Sequence, residues 1–354
     1  MFTWSLTLAT RDRPEMLCRC VEAALRQSRP PVEIVICDSS DGWQRTRDRV
    51  AALIGLISPP TRLWYGPSPR PQQTVQRNIA VAHATADVLF MIDDDSILRR
   101  DAAERVMAVY EQFGDAVGAV GIGAMQRWGG FDVSTDTPAM FRRDRDPLRR
   151  LALWIYGAFF FAVPIRVRHW IARLPAGLRN VVCVEGFQLT ARRTLAQRCR
   201  FDEHLVTGHF EDVDATYRFS REAAVLALDR PLLFHAVAAR PPAERRRGRF
   251  ARFGWILNIA YLNRKYFGGS AFVRLFCWTH WLRCLAADLL RADGPRLRGC
   301  LDALAALWAL TLAPQTRIGH VVASFSAALF SRTVTTIPRR RAKLLPARQR
   351  REAA

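Results

Sequence analysis

The chain has 354 residues, half of them hydrophobic, which is enough for one large core plus an appendage and excludes disorder throughout. Its formal charge of +21 is uneven: residues 236–354 hold 22 Lys/Arg against 5 Asp/Glu, a net of +17, leaving +4 for residues 1–235. Lys265 and Lys343 are the only lysines, so chemistry that needs a lysine in the first half of the chain is excluded.

Through about the first 120 residues, β-rich runs alternate with helical patterns. Strands are predicted over 2–9, 32–37, 62–65, 87–92 and 117–122, and helices over 14–27, 44–57, 72–84 and 102–113. In the first helix Leu17, Val21, Ala24 and Leu25 fall on one face, and Pro14 suits its start. Such alternation predicts an α/β fold: a mostly parallel sheet with helices on both faces. Residues 127–150 are polar and Gly/Asp-rich, which predicts a long mobile loop. Regular structure is expected again over 181–190, then helices at 191–198 and 211–223 and strands at 225–228 and 232–237. The run 244–249 is predicted as a linker, the chain from there to about Arg332 as helical, and 338–354 as disordered. The resulting division is 1–240, a 241–335 helical extension rich in basic and aromatic residues, and a 336–354 basic tail.

The N-terminus lacks the basic and long apolar regions of a secretory signal. The longest apolar stretch, 151–165, is shorter than the roughly 20 residues that span a bilayer. The eight cysteines form no C-x-x-C pair and have no histidine spacing suited to zinc, so reduced thiols in a cytoplasmic protein are expected.

The chemistry concentrates at Val88 to Ser96, where an apolar strand delivers Asp93, Asp94 and Asp95 together. Three adjacent carboxylates repel one another unless a divalent cation, or a ligand that brings one, joins them. The carboxyl ends of strands are also where open α/β sheets bind ligands. A solvated Asp-rich turn is the bland alternative. Against it stands a second acidic cluster, Glu211, Asp212 and Asp214.

The order of the motifs resembles a family 2 glycosyltransferase of the GT-A fold. Thr10-Arg11-Asp12-Arg13-Pro14 is similar to the family's T-x-N-R-P turn, with Asp12 in place of Asn. Asp38-Ser39-Ser40-Asp41-Gly42 resembles its D-x-S-x-D stretch, Gln73 to Asn78 its R-N element, and Asp93 to Asp95 its D-x-D. Glu185-Gly186-Phe187, Arg192-Arg193, Phe201-Asp202-Glu203 and Phe210-Glu211-Asp212-Val213-Asp214 with Arg218 are most like rhamnosyltransferase-type bacterial members. The likeness covers about residues 3–237.

The resemblance implies a nucleotide-diphosphate-sugar donor held by Thr10, Arg13, Asp38, Arg77, Asp93 and Asp94. It implies a metal, Mg²⁺ or Mn²⁺, on Asp95 and Asp93 with His235 a further candidate, and Asp212 as the base that deprotonates the acceptor hydroxyl. Glu211, Gly186 and Asp214 would support the acceptor side, and the displacement would invert the anomeric centre. Each role has a plain alternative: a solvated surface arginine for Arg77, a helix cap for Asp212, and a satisfied core histidine for His235, with His209 weaker still.

The C-terminal helices interleave Trp255, Trp278, Trp281 and Trp308 with arginines, a pattern suited to an anionic membrane surface. The expectation is a peripheral protein on the cytoplasmic face of the membrane, acting on a lipid-linked or polysaccharide acceptor. The plain alternative is helices packed on the catalytic domain with a solvated arginine face. A dehalogenase-like or receiver-like phosphotransfer protein would need a downstream lysine to hold the phosphoryl group, and here the only lysines, Lys265 and Lys343, lie in the tail; a sugar-phosphate nucleotidyltransferase would need a glycine-rich loop where Thr10 to Pro14 has no glycine. Nucleic-acid binding rests on charge alone and is not expected, and a catalytically idle homologue would keep the same motifs.

Overall fold

A computed structural model describes residues 1–58, 60–128, 131–134, 169–236 and 245–334. In chain order the first elements are β1 (Trp4–Thr10), α1 (Pro14–Leu25), β2 (Glu33–Asp38), α2 (Trp43–Ile57), β3 (Arg62–Pro67), α3 (Gln73–His83), β4 (Val88–Phe90), β5 (Ser96–Leu98) and α4 (Ala102–Phe113). There follow β6 (Val117–Gly121), β7 (Ala124–Trp128), β8 (Phe131–Ser134), β9 (Leu178–Asn180), β10 (Leu189–Arg192), α5 (Arg193–Cys199), α6 (Glu211–Ser220), β11 (Ala224–Leu228) and β12 (Leu233–His235). Four helices complete the chain: α7 (Arg245–Phe267), α8 (Ala271–Leu290), α9 (Gly294–Leu312) and α10 (Ile318–Val334).

The main sheet has the order β3-β2-β1-β4-β10-β6-β11-β9. Its first four strands are parallel, β10 is antiparallel to both of its neighbours, and β6 and β11 are parallel to each other. The alternating strand residues divide between two apolar layers, as the period of a strand requires. Leu6, Leu8, Ile34, Ile36 and Phe90 pack with Leu17, Val21, Val106 and Tyr110, whereas Val35, Leu89 and Met91 pack with Val81, Leu195, Ala215 and Phe219. Covered on both faces and mostly parallel, the sheet has the GT-A arrangement expected from the sequence.

A second sheet, β5-β12-β7-β8, is entered by the chain just past the carboxyl end of β4. Here the sequence expectation fails in part. β7 pairs with β8 from Met125↔Ser134 to Trp128↔Phe131, so the start of the predicted 127–150 loop is a hairpin; the rest of that loop lies outside the described residues. Its long-range partner β12 recruits β7, which a local reading of polar residues does not see. The expected element at 181–190 also shrinks to β10, because the backbone at Gly186–Gln188 turns as a short 3-10 helix toward α6.

The predicted linker at 244–249 is helical from Arg245. Arg249 pairs with Asp302 of α9, and Gly299 of α9 lies so close that an added Cβ would stand 2.3 Å from the Arg249 carbonyl oxygen. The helices α7–α10 form a third core with Leu205 and Tyr217 of the sheet-bearing half. All eight cysteines are free. Among the described residues no helix is long and apolar enough to cross a membrane; the 151–165 stretch and the predicted disorder at 338–354 lie outside them.

Candidate active site

β4 ends at Phe90, and the chain leaves the main sheet through Asp93–Asp95 to enter β5. In the second sheet His235 stands opposite Ser96, the Ala236 amide donates to the Asp95 carbonyl (2.8 Å), and the ring stacks on Phe187 with centroids 4.2 Å apart. The two sheets thereby bring carboxylate oxygens of Asp93 and Asp95 and a ring nitrogen of His235 within 4.8 Å of one another. Two carboxylates and an imidazole are a donor set that fits a divalent cation such as Mg²⁺ or Mn²⁺, and His235 Nε2 lies 3.0 Å from Asp95 Oδ1.

The repulsion expected among the three carboxylates is offset by the chain's own cations. Asp93 Oδ1 accepts from Arg77 Nη2 (2.6 Å) and Gln73 Nε2 (3.1 Å). Asp94 accepts from the Thr10 hydroxyl (2.6 Å) and from Arg13 (3.1 Å), and Arg13 also reaches Asp95 (3.0 Å). Thr10, Arg13 and Asp94 thus form one bonded set below the cluster. Burial pushes the Asp94 carboxyl up to about 6, although Thr10 and Arg13 pull it back. Burial also opposes ionisation of Asp95, but His235 and Arg13 more than offset it and hold that carboxyl below its ordinary range.

Asp38 ends β2 and is buried: one oxygen accepts from the Ser40 amide (2.7 Å), the other from the Tyr65 hydroxyl (2.5 Å). It fixes the turn that faces Thr10 to Pro14. Asp12 in that turn has φ 55° and donates its amide to the Ser40 hydroxyl (2.7 Å). Asp is among the non-glycine residues that enter the left-handed region most readily, so Asp12 suits this turn.

Arg77 is only 4 % exposed, far from the solvated surface arginine that a lone helical cation suggests. Its guanidinium joins the two acidic clusters: it bonds Asp93, lies 5.2 Å over the Phe201 ring and faces the charges of Glu211 and Asp212. Its Nη1 is buried without a hydrogen-bond partner among the described residues. Gly186 allows this approach, since a Cβ there would stand 2.9 Å from both guanidinium nitrogens.

Asp212 does not cap α6, whose N-cap is Phe210 with no side-chain cap bond. One oxygen accepts from the Gly186 amide (2.7 Å) and the other from the Val213 amide (2.7 Å). Burial pushes its carboxyl upward despite those bonds, and Glu211 beside it moves the same way, through burial and then the charge of Asp212. Phe210 holds φ 67°, a strained value for a bulky residue, and packs on Trp255 of α7 with centroids 4.7 Å apart.

Asp214 is fully buried and has a different role. It accepts from Arg218 (2.7 Å), from Lys265 Nζ (2.6 Å) and from the Tyr266 hydroxyl (2.5 Å). Lys265 also bonds Asp202 (2.7 Å), whose carboxyl burial would raise but Lys265 holds well below the carboxylate range. Sequence reasoning gave no individual role to Lys265, Tyr266, Phe187 or Gln73. Gln73 lies one helical turn before Arg77, a spacing that places both on one face of α3.

The family model of Glycosyl transferase family 2 matches residues 5–164. Among solved structures, S. aureus TarS 1–349 in complex with UDP-GlcNAc is similar at 12 % identity and TM-score 0.49, over 93 % of this chain and 92 % of that one. The mannosyltransferase PcManGT from Pyrobaculum calidifontis, in complex with GDP-Man and Mn²⁺, is similar at 17 % identity and TM-score 0.47, over 94 % and 86 %. No curated protein matches the chain.

Proposed function

We propose that the chain, whose residues 5–164 match the model of glycosyl transferase family 2, inverts configuration as it moves a hexosyl or deoxyhexosyl group from a nucleotide-diphosphate donor to a hydroxyl of a lipid-linked or polysaccharide acceptor. One observation carries the reading. The Asp93–Asp95–His235 donor set and the half-buried Asp212 are linked through Arg77, which bonds Asp93 and faces the charge of Asp212, so the candidate cation site and the candidate proton acceptor flank one guanidinium.

Asp93, Asp95 and His235 would hold Mg²⁺ or Mn²⁺, which when bound supplies electrostatic stabilisation to the diphosphate as it leaves. Arg13 bonds Asp94 and Asp95 and Arg77 bonds Asp93, which aligns the carboxylates for it, and Arg77 Nη1 offers a buried donor to an oxygen of the substrate. Asp212, fixed by two backbone amides, takes the proton of the acceptor hydroxyl as that oxygen attacks the anomeric carbon from the side opposite the diphosphate. One displacement of this kind inverts the centre. Thr10 and Asp38 shape the floor for the nucleotide, and Glu211, Gly186 and Asp214 support the acceptor side.

The enzyme works as a peripheral protein on the cytoplasmic face of an anionic membrane, with nucleic acid not among its partners. The net +17 of residues 236–354 supports that placement.

Thermal unfolding with UDP and GDP, each with and without Mn²⁺, tests the site. A nucleotide at about 100 times its dissociation constant adds ~2.7 kcal/mol to the native state, a shift of several degrees. Asp95→Ala should remove the metal-dependent part of that shift while the chain remains folded. An unchanged metal-dependent shift in the variant would sink the metal assignment.

A further inference from the structure

The outer side of the C-terminal helices is apolar where a soluble surface would be polar. On α8, Leu275, Leu282 and Leu289 recur every seventh residue and are 61, 54 and 56 % exposed. On α9, Leu301, Leu304, Trp308 and Leu312 share one face at 40 to 62 % exposure, and every exposed position from 301 to 312 is apolar. The two helices run antiparallel and touch. The Trp281 indole donates to the Cys300 carbonyl (2.8 Å), and the rings of Trp278 and Trp308 meet with centroids 5.9 Å apart. Their stripes therefore lie side by side as one patch about 20 Å long at 1.5 Å per residue. Contiguous exposed apolar patches of this kind mark interaction sites.

The charges around the patch decide what covers it. Between Ala271 and Arg317 the acidic residues are Asp288, Asp293 and Asp302, and each is paired with an arginine: Arg252, Arg296 and Arg249. Exposed Arg274 and Arg317 stand at one end of the helix pair, and exposed Arg291 and Arg298 at the other. An apolar strip bracketed by cations is repelled by a second copy of itself. It is complementary to a layer with anionic headgroups above acyl chains, where arginine gains at the surface and leucine and tryptophan gain just below it. No described helix is long and apolar enough to cross that layer, so the pair lies along it.

We propose that the α8–α9 face seats this protein on an anionic phospholipid bilayer. The seat deepens the reading of a membrane-borne acceptor and rests on it for its purpose, but its test needs no sugar. Full-length protein is sedimented with vesicles of phosphatidylcholine alone or mixed with phosphatidylglycerol, with neither donor nor acceptor present. Wild type should partition onto the mixed vesicles. The variant Leu282→Glu, Leu301→Glu, Leu312→Glu should lose at least about tenfold in partition coefficient while its unfolding midpoint stays near the parental value, because these three side chains are 54, 57 and 62 % exposed. Absence of wild-type binding, or binding by the variant equal to wild type, would overturn the proposal. So would light scattering that shows a dimer converted to monomer by the same substitutions, which would assign the face to a second copy. Failure of sugar transfer leaves the vesicle result standing, and failure on vesicles leaves the cation and base assignments untouched.

Discussion

Asp212 combines two properties that oppose each other: its oxygens accept backbone amides, which favours the carboxylate, and it sits in a buried, negatively charged corner that favours the acid. The second effect wins, so its carboxyl titrates above the ordinary aspartate range. A base works only when deprotonated, so kcat/KM should fall as pH drops through this raised value and the acid limb should lie above the limb of a solvated aspartate. Asp212→Asn should lower transfer by about 10²–10⁴-fold and leave nucleotide affinity nearly unchanged. Parental turnover in that variant would move the base elsewhere, and Glu211 is the neighbour to test next, since Asp214 is committed to Lys265, Arg218 and Tyr266. Asp212 is legible in the sequence because its motif and the start of a helix coincide within a few residues. The burial of Arg77 is not, because it depends on Phe201, Gly186 and Glu211, which lie more than a hundred positions away along the chain.

At the scale of elements, α6 is the component that needs explaining, since it carries Glu211, Asp212 and Asp214 and opens on a strained Phe210. Its position is set from α7. Lys265 of α7 bonds both Asp214 and Asp202, Tyr266 bonds Asp214, Tyr261 bonds Asp202 (2.7 Å), and Trp255 packs on Phe210. Lys265→Met removes one cation from between two buried carboxylates. Breaking a buried pair costs on the order of 3 kcal/mol, and the partial exposure of Lys265 places the expected loss at or below that figure. Urea unfolding measures it. Because Asp214 lies one-half turn from Asp212, the variant should also lose transfer with little change in nucleotide affinity; an equal fall in both would point to general loosening. The helices themselves are readable from their periodicity, as Leu17, Val21, Ala24 and Leu25 show, all buried as expected. The pairing of Lys265 with Asp202 and Asp214 is not readable, because nothing local distinguishes this lysine from a solvated one.

Over the whole molecule, the division at residue 240 that charge and composition suggest does not coincide with a division of the core. Leu205 and Tyr217 of the sheet-bearing half are buried among Phe253, Ile256, Leu257 and their neighbours on the C-terminal helices. At about 1.5–3 kcal/mol for each large apolar side chain, exposing Leu205 and Tyr217 alone costs ~4 kcal/mol. Loss of Lys265 from Asp202 and Asp214 adds to it, against a total stability of about 5–15 kcal/mol for an ordinary domain. A chain ended after Arg240 should therefore lose its cooperative near-ultraviolet unfolding transition and its nucleotide-dependent stabilisation together. The full chain should show one transition, with near- and far-ultraviolet signals coincident. Separate transitions in the full chain, or a truncated chain that still binds nucleotide with wild-type affinity, would mean that the helices are an independent appendage. If they are integral, as their shared core implies, then the same helices present the Asp214 anchor inward and the apolar α8–α9 face outward. The helix that carries the proposed base is in that case held by the structure that is proposed to meet the membrane, so the two proposals together put acceptor delivery and acceptor deprotonation on elements that share one core.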